Sequence, residues 1–319
     1  MGKFHKYPHI ELLHRVPDIL LEREVVVTEK VHGINVRFGW VDGRFRVGSR
    51  EEELSFEVPA PTLLKSFLAW ILSTNLVQQV TELAKSLGSE FIFYGEWFGP
   101  GVQKGVVYAA EKQLRIFDVR VGEDFVEWDR VAELAARIDV KTMPVLYRGR
   151  PRQDVFDEKR IESSTIAFEN MLGSAENIAE GIVIKSSRMH RNHRGNWVIA
   201  KHKSPAFSER KSGNEDKVQP TTPESATEFI EEFFTIQRLE HVLTNLRAAG
   251  VDVTIAAATG QILKGMYQDV MRESEPEYGR LDEESRKAVD RQHATKTKVL
   301  LRTWLIDQTN DDSQIGVRI

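Results

Sequence analysis

The strongest constraint on the fold is a predicted β-hairpin near the N-terminus. Two runs that mix apolar and polar residues, NVRFGWV and RFRVGSR, are separated only by Asp42 and Gly43. An Asp-Gly pair tolerates the positive φ angles that a tight two-residue hairpin turn requires. The sequence therefore predicts two antiparallel strands over residues 35–50.

Other segments rich in β-branched and aromatic residues predict further strands, and their connections are irregular in length. These segments are VVVTEK (25–30), EFIFYGEW (90–97), QLRIFDVRV (113–121), EGIVIKS (180–186) and NWVIAKHK (196–203). Residues 62–88 have the apolar spacing of a helix, and Gly88 is typical of a helix C-cap. Few connections have the size of a βαβ crossover, so we expect a mixed, largely antiparallel α+β domain.

The C-terminal third has a different pattern. The polar stretch SGNEDKVQPTTPE, residues 212–224, is typical of a linker. After it, apolar residues recur at helical spacing up to Gly250, and two more helical stretches follow over 254–274 and 282–306. We therefore predict a sheet-containing domain over 1–215 and a small all-helical domain over 219–319.

Composition limits the class of protein. Apolar residues make up 41% and charged residues 29%, as in soluble globular proteins. The longest apolar run, FLAWIL, is too short to span a bilayer, and no N-terminal signal core is present. We expect a cytoplasmic monomer with no membrane partner. The absence of cysteine excludes disulfides, zinc–thiolate sites and cysteine nucleophiles, which leaves lysine, serine and histidine.

Positive charge is concentrated in two zones although the net charge is −4. Residues 185–217 contain nine Lys or Arg against three acids, and residues 286–302 contain six against Asp290. Two such zones in an acidic chain indicate a phosphate-rich ligand.

Common nucleotide and metal motifs are missing. No P-loop sequence occurs, and GPGVQKG (99–105) has the wrong spacing for a dinucleotide fingerprint, so we expect a loop there and leave a phosphate contact open. His190, His193 and His202 have no accompanying cluster at ligand spacing, which argues against a histidine-based metalloenzyme.

Charged and aromatic residues instead recur at the predicted strand ends in a fixed order. They are Lys30 in EKVHG, Arg50 in GSR, Glu96 in YGEWFG, Phe117 in RIFDV, Glu180 and Lys185 in EGIVIK, and Lys201 and Lys203 in IAKHK. This ordered set resembles motifs I, Ia, III, IIIa, IV and V of the covalent nucleotidyltransferases, which include DNA ligases, RNA ligases and mRNA capping enzymes.

The details resemble one branch of that superfamily. EKVHGIN has His32 where DNA ligases and capping enzymes have aspartate, and is similar to the RNA ligase 2 family, the bacteriophage type related to the kinetoplastid RNA-editing ligases. YGEWFG and GVQKGVVY also resemble that family. The predicted helical C-terminal domain is also similar to that family, whereas DNA ligases and capping enzymes would have an OB-fold there.

The resemblance implies an ATP-dependent RNA ligase that uses Mg²⁺, for which Mn²⁺ can substitute. Lys30 would attack the α-phosphate of ATP after losing its proton, and nearby cations with partial burial can lower its pKa. Lys201 and Lys203 alternate on one strand, so both would face the α-phosphate while His202 faces away. Glu180 is the natural metal ligand because hard divalent ions prefer carboxylate oxygen.

The remaining expected roles also follow from the resemblance. Phe117 would stack on adenine, Glu29 would lie at the base through its side chain or its backbone, and Lys185 would lie near the phosphates. Val31 would lie beside the nucleotide, and Glu96 and Arg50 would contact the ribose. Asn35 would orient a metal-bound water, and His32 would act when AMP passes to the RNA 5′-phosphate and the 3′-OH attacks.

The expected partner is RNA, most naturally a nicked duplex whose phosphates contact the two basic zones. We expect the helix around 286–302 to clamp the duplex while the first domain forms the enzyme adenylate. A DNA ligase, a capping guanylyltransferase and a non-catalytic nucleic-acid-binding protein on a ligase scaffold are the alternatives.

Overall fold

The computed structural model describes residues 3–57, 60–103, 105–207 and 225–315. Two compact units are present, Met1–Ala206 with Ala248–Gly250, and Phe207–Arg247 with Val251–Ile319. The first unit contains all of the described strands, and the regular elements in the described part of the second are helices. The predicted α+β class, with antiparallel sheets followed by helices, is confirmed. The predicted linker and the boundary at 215–219 lie outside the described residues.

The described strands of the first unit form two sheets. They are β1 (Glu11–Leu12), β2 (Val25–Lys30), β3 (Ile34–Val41), β4 (Arg44–Ser49), β5 (Glu53–Leu54), β6 (Phe91–Phe98), β7 (Gln113–Val121), β8 (Asp124–Phe125), β9 (Val145–Gly149), β10 (Gly181–Ser186) and β11 (Ile199–Lys203). One sheet has the order β1-β11-β10-β2-β9, and the other has the order β5-β4-β3-β6-β7-β8. Every pairing is antiparallel except that of β1 with β11.

The helices of the first unit are α1 (Thr62–Ser73), α2 (Leu76–Leu87), α3 (Trp128–Arg137), α4 (Gln153–Lys159) and α5 (Thr165–Glu169). Helix α2 packs on β3 and β4, and α3 packs on β7. Their buried faces, for example Val80 and Leu83 in α2, cover the second sheet with apolar side chains.

The predicted strands are all present, and the hairpin turn has the expected geometry. Asp42 and Gly43 have φ angles of 54° and 70°, the left-handed values that the two-residue turn requires. This turn fixes the register of β3 against β4, from Val41 opposite Arg44 to Val36 opposite Ser49.

Some helix predictions were wrong in extent. Residues 62–88 form two helices because the chain leaves helical geometry at Thr74, although Gly88 is the left-handed C-cap with φ 63°. Residues 225–250 likewise form α6 (Ala226–Phe233) and α7 (Ile236–Ala248). Sequence reasoning missed α3, α4, α5 and β9, and also the two-residue strands β1, β5 and β8.

The second unit contains α6, α7, α8 (Thr259–Arg280) and α9 (Glu283–Ile315). Its apolar core includes Phe229, Leu239, Met266 and Trp304. Helix α8 kinks at Ser274, two residues before Pro276, because a proline disfavours helical geometry in the preceding residues. No described helix is long and apolar enough to cross a bilayer.

Candidate active site

Strand register brings the ends of three strands of the first sheet together. Gly181 of β10 pairs with Lys30 of β2 on one side and with Lys203 of β11 on the other. Glu180, which immediately precedes β10, therefore lies between the two lysines. Its Oε2 is 2.7 Å from Lys30 Nζ, and its Oε1 is 3.5 Å from Lys203 Nζ.

The charge state of Glu180 follows from these neighbours. Burial alone raises the pKa of this carboxyl group, but the positive charges of Lys30 and Lys203 outweigh burial and lower the pKa to about 2. Glu180 is therefore ionised at neutral pH and presents a carboxylate between two ammonium groups.

Glu96 has the opposite behaviour at the same site. It projects from β6 opposite Asn35 of β3. Burial raises the pKa of Glu96 to about 8; Lys30 opposes this shift and the negative charge of Glu180 adds to it. The Glu96 carboxyl group is largely protonated at neutral pH and can donate a hydrogen bond.

A cavity extends from this charged cluster into the protein. Lys30, Asn35 and Glu96 lie on its wall together with apolar side chains. The other lining residues are Tyr7, Ile10, Thr28, Glu29, Val31, Phe117, Met143, Val183 and Lys185. A cavity that is apolar inside and charged at one end suits a flat heterocycle that carries phosphates.

The turn between Lys30 and β3 is tightly packed. A Cβ atom on Gly33 would lie 2.6 Å from the Trp97 carbonyl oxygen and 2.9 Å from Glu96 Cγ, so only glycine fits. The backbone N–H of His32 donates to the Tyr108 hydroxyl over 2.9 Å. The close approach of this turn to β6 therefore depends on Gly33, and Tyr108 fixes the residue before it.

Comparison with known proteins identifies the family of the chain. The RNA ligase family model matches residues 23–203, more than half of the chain. The chain belongs to the RNA ligase family. No curated protein matches the sequence.

Solved structures of a Naegleria gruberi RNA ligase are similar at low identity. Its structure with pyrophosphate has 17% identity and a TM-score of 0.48, and covers 65% of this chain and 59% of that chain. A mutant of the same ligase with ATP and Mn has 16% identity, a TM-score of 0.49 and the same coverage. This RNA ligase family member thus matches about 59% of the length of that relative.

Lys185 lines the cavity, and its ammonium group is already paired within the protein. Nζ donates to Asp118 Oδ2 over 2.6 Å and to the Phe117 carbonyl oxygen over 2.8 Å. Tyr7 also donates to Asp118 Oδ2, over 3.0 Å. This buried network supports the cavity wall beneath Phe117, so the geometry favours a positioning role for Lys185 over the expected phosphate contact.

The carboxylate of Glu29 is held by the start of α5. Ser164 Oγ donates to Oε1 over 2.6 Å, and the Ile166 N–H donates to Oε2 over 3.1 Å, at the first turn of α5. Both carboxylate oxygens are thus occupied, so we expect any contact of Glu29 with the base to come from its backbone.

The other predicted residues have these positions. Val31 is buried on the cavity wall and Arg50 donates to the Pro8 carbonyl oxygen over 3.2 Å. Lys201 is buried in β11, and His202 contacts Asp157 of α4 at 2.7 Å, on the opposite side from Lys203. In the glycine-rich loop, the Gly99 N–H donates to Gln103 Oε1 over 3.1 Å.

The residues present fit a hard divalent cation that shares its ligands with a nucleotide. No group of three or more acidic or histidine side chains within the described ranges could hold a metal by itself. Ionised Glu180 supplies one oxygen, and Asn35 Oδ1 is buried without a hydrogen-bond partner. Mg²⁺ commonly binds through one or two protein oxygens and completes its shell with phosphate and water.

Sequence reasoning missed Tyr7, Asp118 and Tyr108. Asp118 is adjacent to Phe117 in RIFDV, and an acid within an apolar strand is a signal that could have found it. Tyr7 and Tyr108 had no such signal, because they meet their partners across long sequence separations, 111 residues in the case of Tyr7 and Asp118.

Proposed function

We propose that the protein is an ATP-dependent RNA ligase that joins 3′-OH and 5′-phosphate ends at nicks in duplex RNA. The observation that carries the proposal is the pair formed by Lys30 and Glu180, with Lys203 beside them, at the charged end of a cavity that Phe117 lines. Membership of the RNA ligase family supports it.

In the first step, the Lys30 amine attacks the α-phosphorus of ATP. The N–P bond forms as the bond to the bridging oxygen breaks, and pyrophosphate leaves with the electron pair. Because an ammonium group has no lone pair, Lys30 must first give up its proton. Lys203 and the buried Lys201 neutralise charge that develops on the α-phosphate.

Glu180 and Asn35 would hold the divalent cation, Mg²⁺ or Mn²⁺. When bound, the cation polarises phosphate oxygens and neutralises their charge. The same carboxylate pairs with Lys30 in the protein alone, so a cation at Glu180 would release the amine from its ion pair. The proposal rests on these residues; ATP and Mn are ligands of the Naegleria gruberi ligase in one of its structures.

The nucleoside would occupy the apolar part of the cavity. We place Phe117 against the adenine face, with Val31 at its edge and the backbone of Glu29 at its polar rim. Protonated Glu96 can donate to a ribose oxygen, and Arg50 can contact the same sugar. The AMP then passes to an RNA 5′-phosphate, and a 3′-OH displaces AMP to form the phosphodiester, the steps to which we assign His32.

Exposed cations on α9 offer a surface for the RNA backbone. Arg291, Lys298 and Arg302 are exposed and are spaced by seven and four residues, which places them on one face of the helix. Lys287 and Lys296 of the same zone pair with Glu283 and Glu231. We propose that the exposed three contact phosphates.

The other basic zone, 185–217, is not one surface. Lys185 is buried with Asp118, whereas Lys201 and Lys203 belong to the site. Its three described arginines, at 188, 191 and 194, are exposed and lie between β10 and β11, at the end of those strands away from Glu180. Residues 210, 211 and 217 lie outside the described residues.

The test is incubation with Mg²⁺ and ATP labelled on the α-phosphate, followed by denaturing electrophoresis. Wild type and Lys85→Ala, a control at an exposed lysine of α2, should become labelled, whereas Lys30→Ala should not. A chase with nicked duplex RNA should move the label to RNA and then release AMP. Labelling of Lys30→Ala, or no labelling of wild type, would refute the proposal.

Two substrate comparisons test the finer claims. Labelling with GTP in place of ATP would indicate a capping enzyme, and equal or better sealing of nicked DNA would indicate a DNA ligase.

A further inference from the structure

One segment of the first unit contacts the chain on both sides of Lys30. On one side, Ser164 and Ile166 at the start of α5 donate to the Glu29 carboxylate. On the other side, His32 is held by Tyr108, whose backbone oxygen accepts from Asn170 Nδ2 over 2.9 Å. Residues 164–170 therefore hold Glu29, which precedes the nucleophile candidate, directly, and hold His32, two residues after it, through Tyr108.

Tyr108 is the link on the His32 side, and it is rigidly placed. Its side chain is 1% exposed, and its ring packs edge-on against Phe98 at 5.2 Å. The preceding residue, Val107, exchanges two hydrogen bonds with the Asn177 side chain, of 3.0 and 2.8 Å. A buried phenol held in this way provides a fixed acceptor for the His32 N–H.

The Tyr108 hydroxyl group can also donate a hydrogen bond. By accepting from His32 it keeps its own proton available to donate. Burial raises the pKa of Tyr108 well above its usual value, and the negative charge of Glu180 raises it further, so the phenol stays neutral.

We propose that Tyr108 is a positioning residue for the nucleophile: through the His32 N–H it sets the turn that directs Lys30 toward the α-phosphate. This inference rests on the proposed function. Tyr108 does not line the nucleotide cavity, so it acts on the reactivity of Lys30 and leaves ATP binding unchanged.

The experiment is single-turnover formation of enzyme–AMP by Tyr108→Phe over a range of ATP concentrations. Loss of the acceptor leaves the His32 N–H unsatisfied, and we expect the maximal rate to fall about tenfold. The ATP concentration that gives half the maximal rate should stay within about twofold of wild type. Damage to the nucleotide cavity would change that concentration as well.

Tyr94→Phe is the matched control, because Tyr94, in β6, is also a buried tyrosine whose hydroxyl is hydrogen-bonded: it donates to the His5 carbonyl oxygen over 3.0 Å. It should keep the wild-type rate. An equal loss of rate in Tyr94→Phe would overturn the inference, since the effect would then be that of any buried hydroxyl.

Asn170→Ala provides a second variant in case Tyr108→Phe does not fold. It removes the hydrogen bond to the Tyr108 backbone and leaves the phenol in place, so we expect a loss of about threefold in maximal rate. Wild-type rates in Asn170→Ala, together with wild-type rates or misfolding of Tyr108→Phe, would overturn the inference. Failure of wild type to form enzyme–AMP would instead refute the proposed function.

Discussion

The buried pair of Lys185 and Asp118 gives the sharpest test of how the nucleotide cavity is built. Their side chains are 4% and 1% exposed, and Nζ and Oδ2 are 2.6 Å apart. Burial lowers the pKa of Lys185 and raises the pKa of Asp118, so each group needs the other to remain charged. Removing one partner from such a pair typically costs about 3–5 kcal/mol.

Lys185→Met keeps the length of the side chain and removes its charge. We expect it to lower the free energy of unfolding by about 3–5 kcal/mol, because within the described ranges Asp118 keeps two donors, the Tyr7 hydroxyl and the Val119 N–H. Urea titration followed by tryptophan fluorescence is the assay, and Trp128, 5.1 Å from Lys185 Nζ, is a local probe.

Asp118→Asn supplies the matched partner for a double-mutant cycle. It should cost a similar amount, and Lys185→Met with Asp118→Asn should cost less than the sum by about 2 kcal/mol or more, since no buried charge remains. The cost of Lys185→Met should also shrink as pH falls, because protonation of Asp118 removes its charge. If Lys185→Met were as stable as wild type but did not form the adenylate, this reasoning would be refuted. That result would favour the contact between Lys185 and the ATP phosphates that the resemblance implies.

Three further predictions concern the site, and a fourth concerns the two domains. Glu180→Gln should abolish detectable enzyme–AMP formation with Mg²⁺ or Mn²⁺, since it removes the ionised oxygen, and α-labelled ATP checks this. Gly33→Ala should slow the same step at least about tenfold, because its Cβ would collide with the Trp97 carbonyl; circular dichroism separates this effect from misfolding. The folded pKa of Glu96, about 8, lies above its ordinary 4.5, so the folded state holds a proton that the unfolded state releases, and stability falls as pH rises between these values. Urea titrations of Glu96→Gln should lack that part of the slope. Deletion of residues 219–319 should preserve enzyme–AMP formation and abolish nick sealing, and loss of both activities would contradict the division of labour between domains.

The strands could be predicted because their signals are local. A few adjacent residues are enough to predict the β-branched strand β2 and the turn at Asp42-Gly43. Helix ends were less certain, since apolar spacing continued across Thr74 and across Phe234 although the backbone does not. At these points the capping geometry, and not the periodicity, decides where a helix stops.

The elements that were missed are short or irregular. Helix α5 has five residues, less than two turns, so no periodicity can reveal it. Strand β9 is an edge strand with a register shift opposite Val27 and Thr28, and its sequence does not alternate. The sequence therefore could not predict that residues at the start of α5 hold the Glu29 carboxylate.

The ordered strand-end residues led to the family, but not to their individual environments. Lys30, Glu180 and Lys203 come together as strand pairing requires. Lys185 was expected near phosphates from its place in EGIVIK, yet its partner is set by β7, which brings Asp118 to the same point. The predicted roles of the site residues remain predictions, because family membership alone assigns no role to an individual side chain.

Two carboxyl groups at one site have pKa values on opposite sides of neutrality, and the difference comes from their neighbours. Both are penalised by burial. Glu180 has ammonium groups on both oxygens and ionises, whereas Glu96 is affected by Lys30 and by the negative charge of Glu180 together and keeps its proton. The ionised Glu180 is therefore suited to bind a cation, and the protonated Glu96 is suited to donate a hydrogen bond to an uncharged oxygen. A cation at Glu180 would offset the negative charge that Glu96 experiences, so metal binding should lower the pKa of Glu96. If carbon-13 NMR of the Glu96 carboxyl group found the same titration with and without Mg²⁺, the two groups would not be coupled in this way.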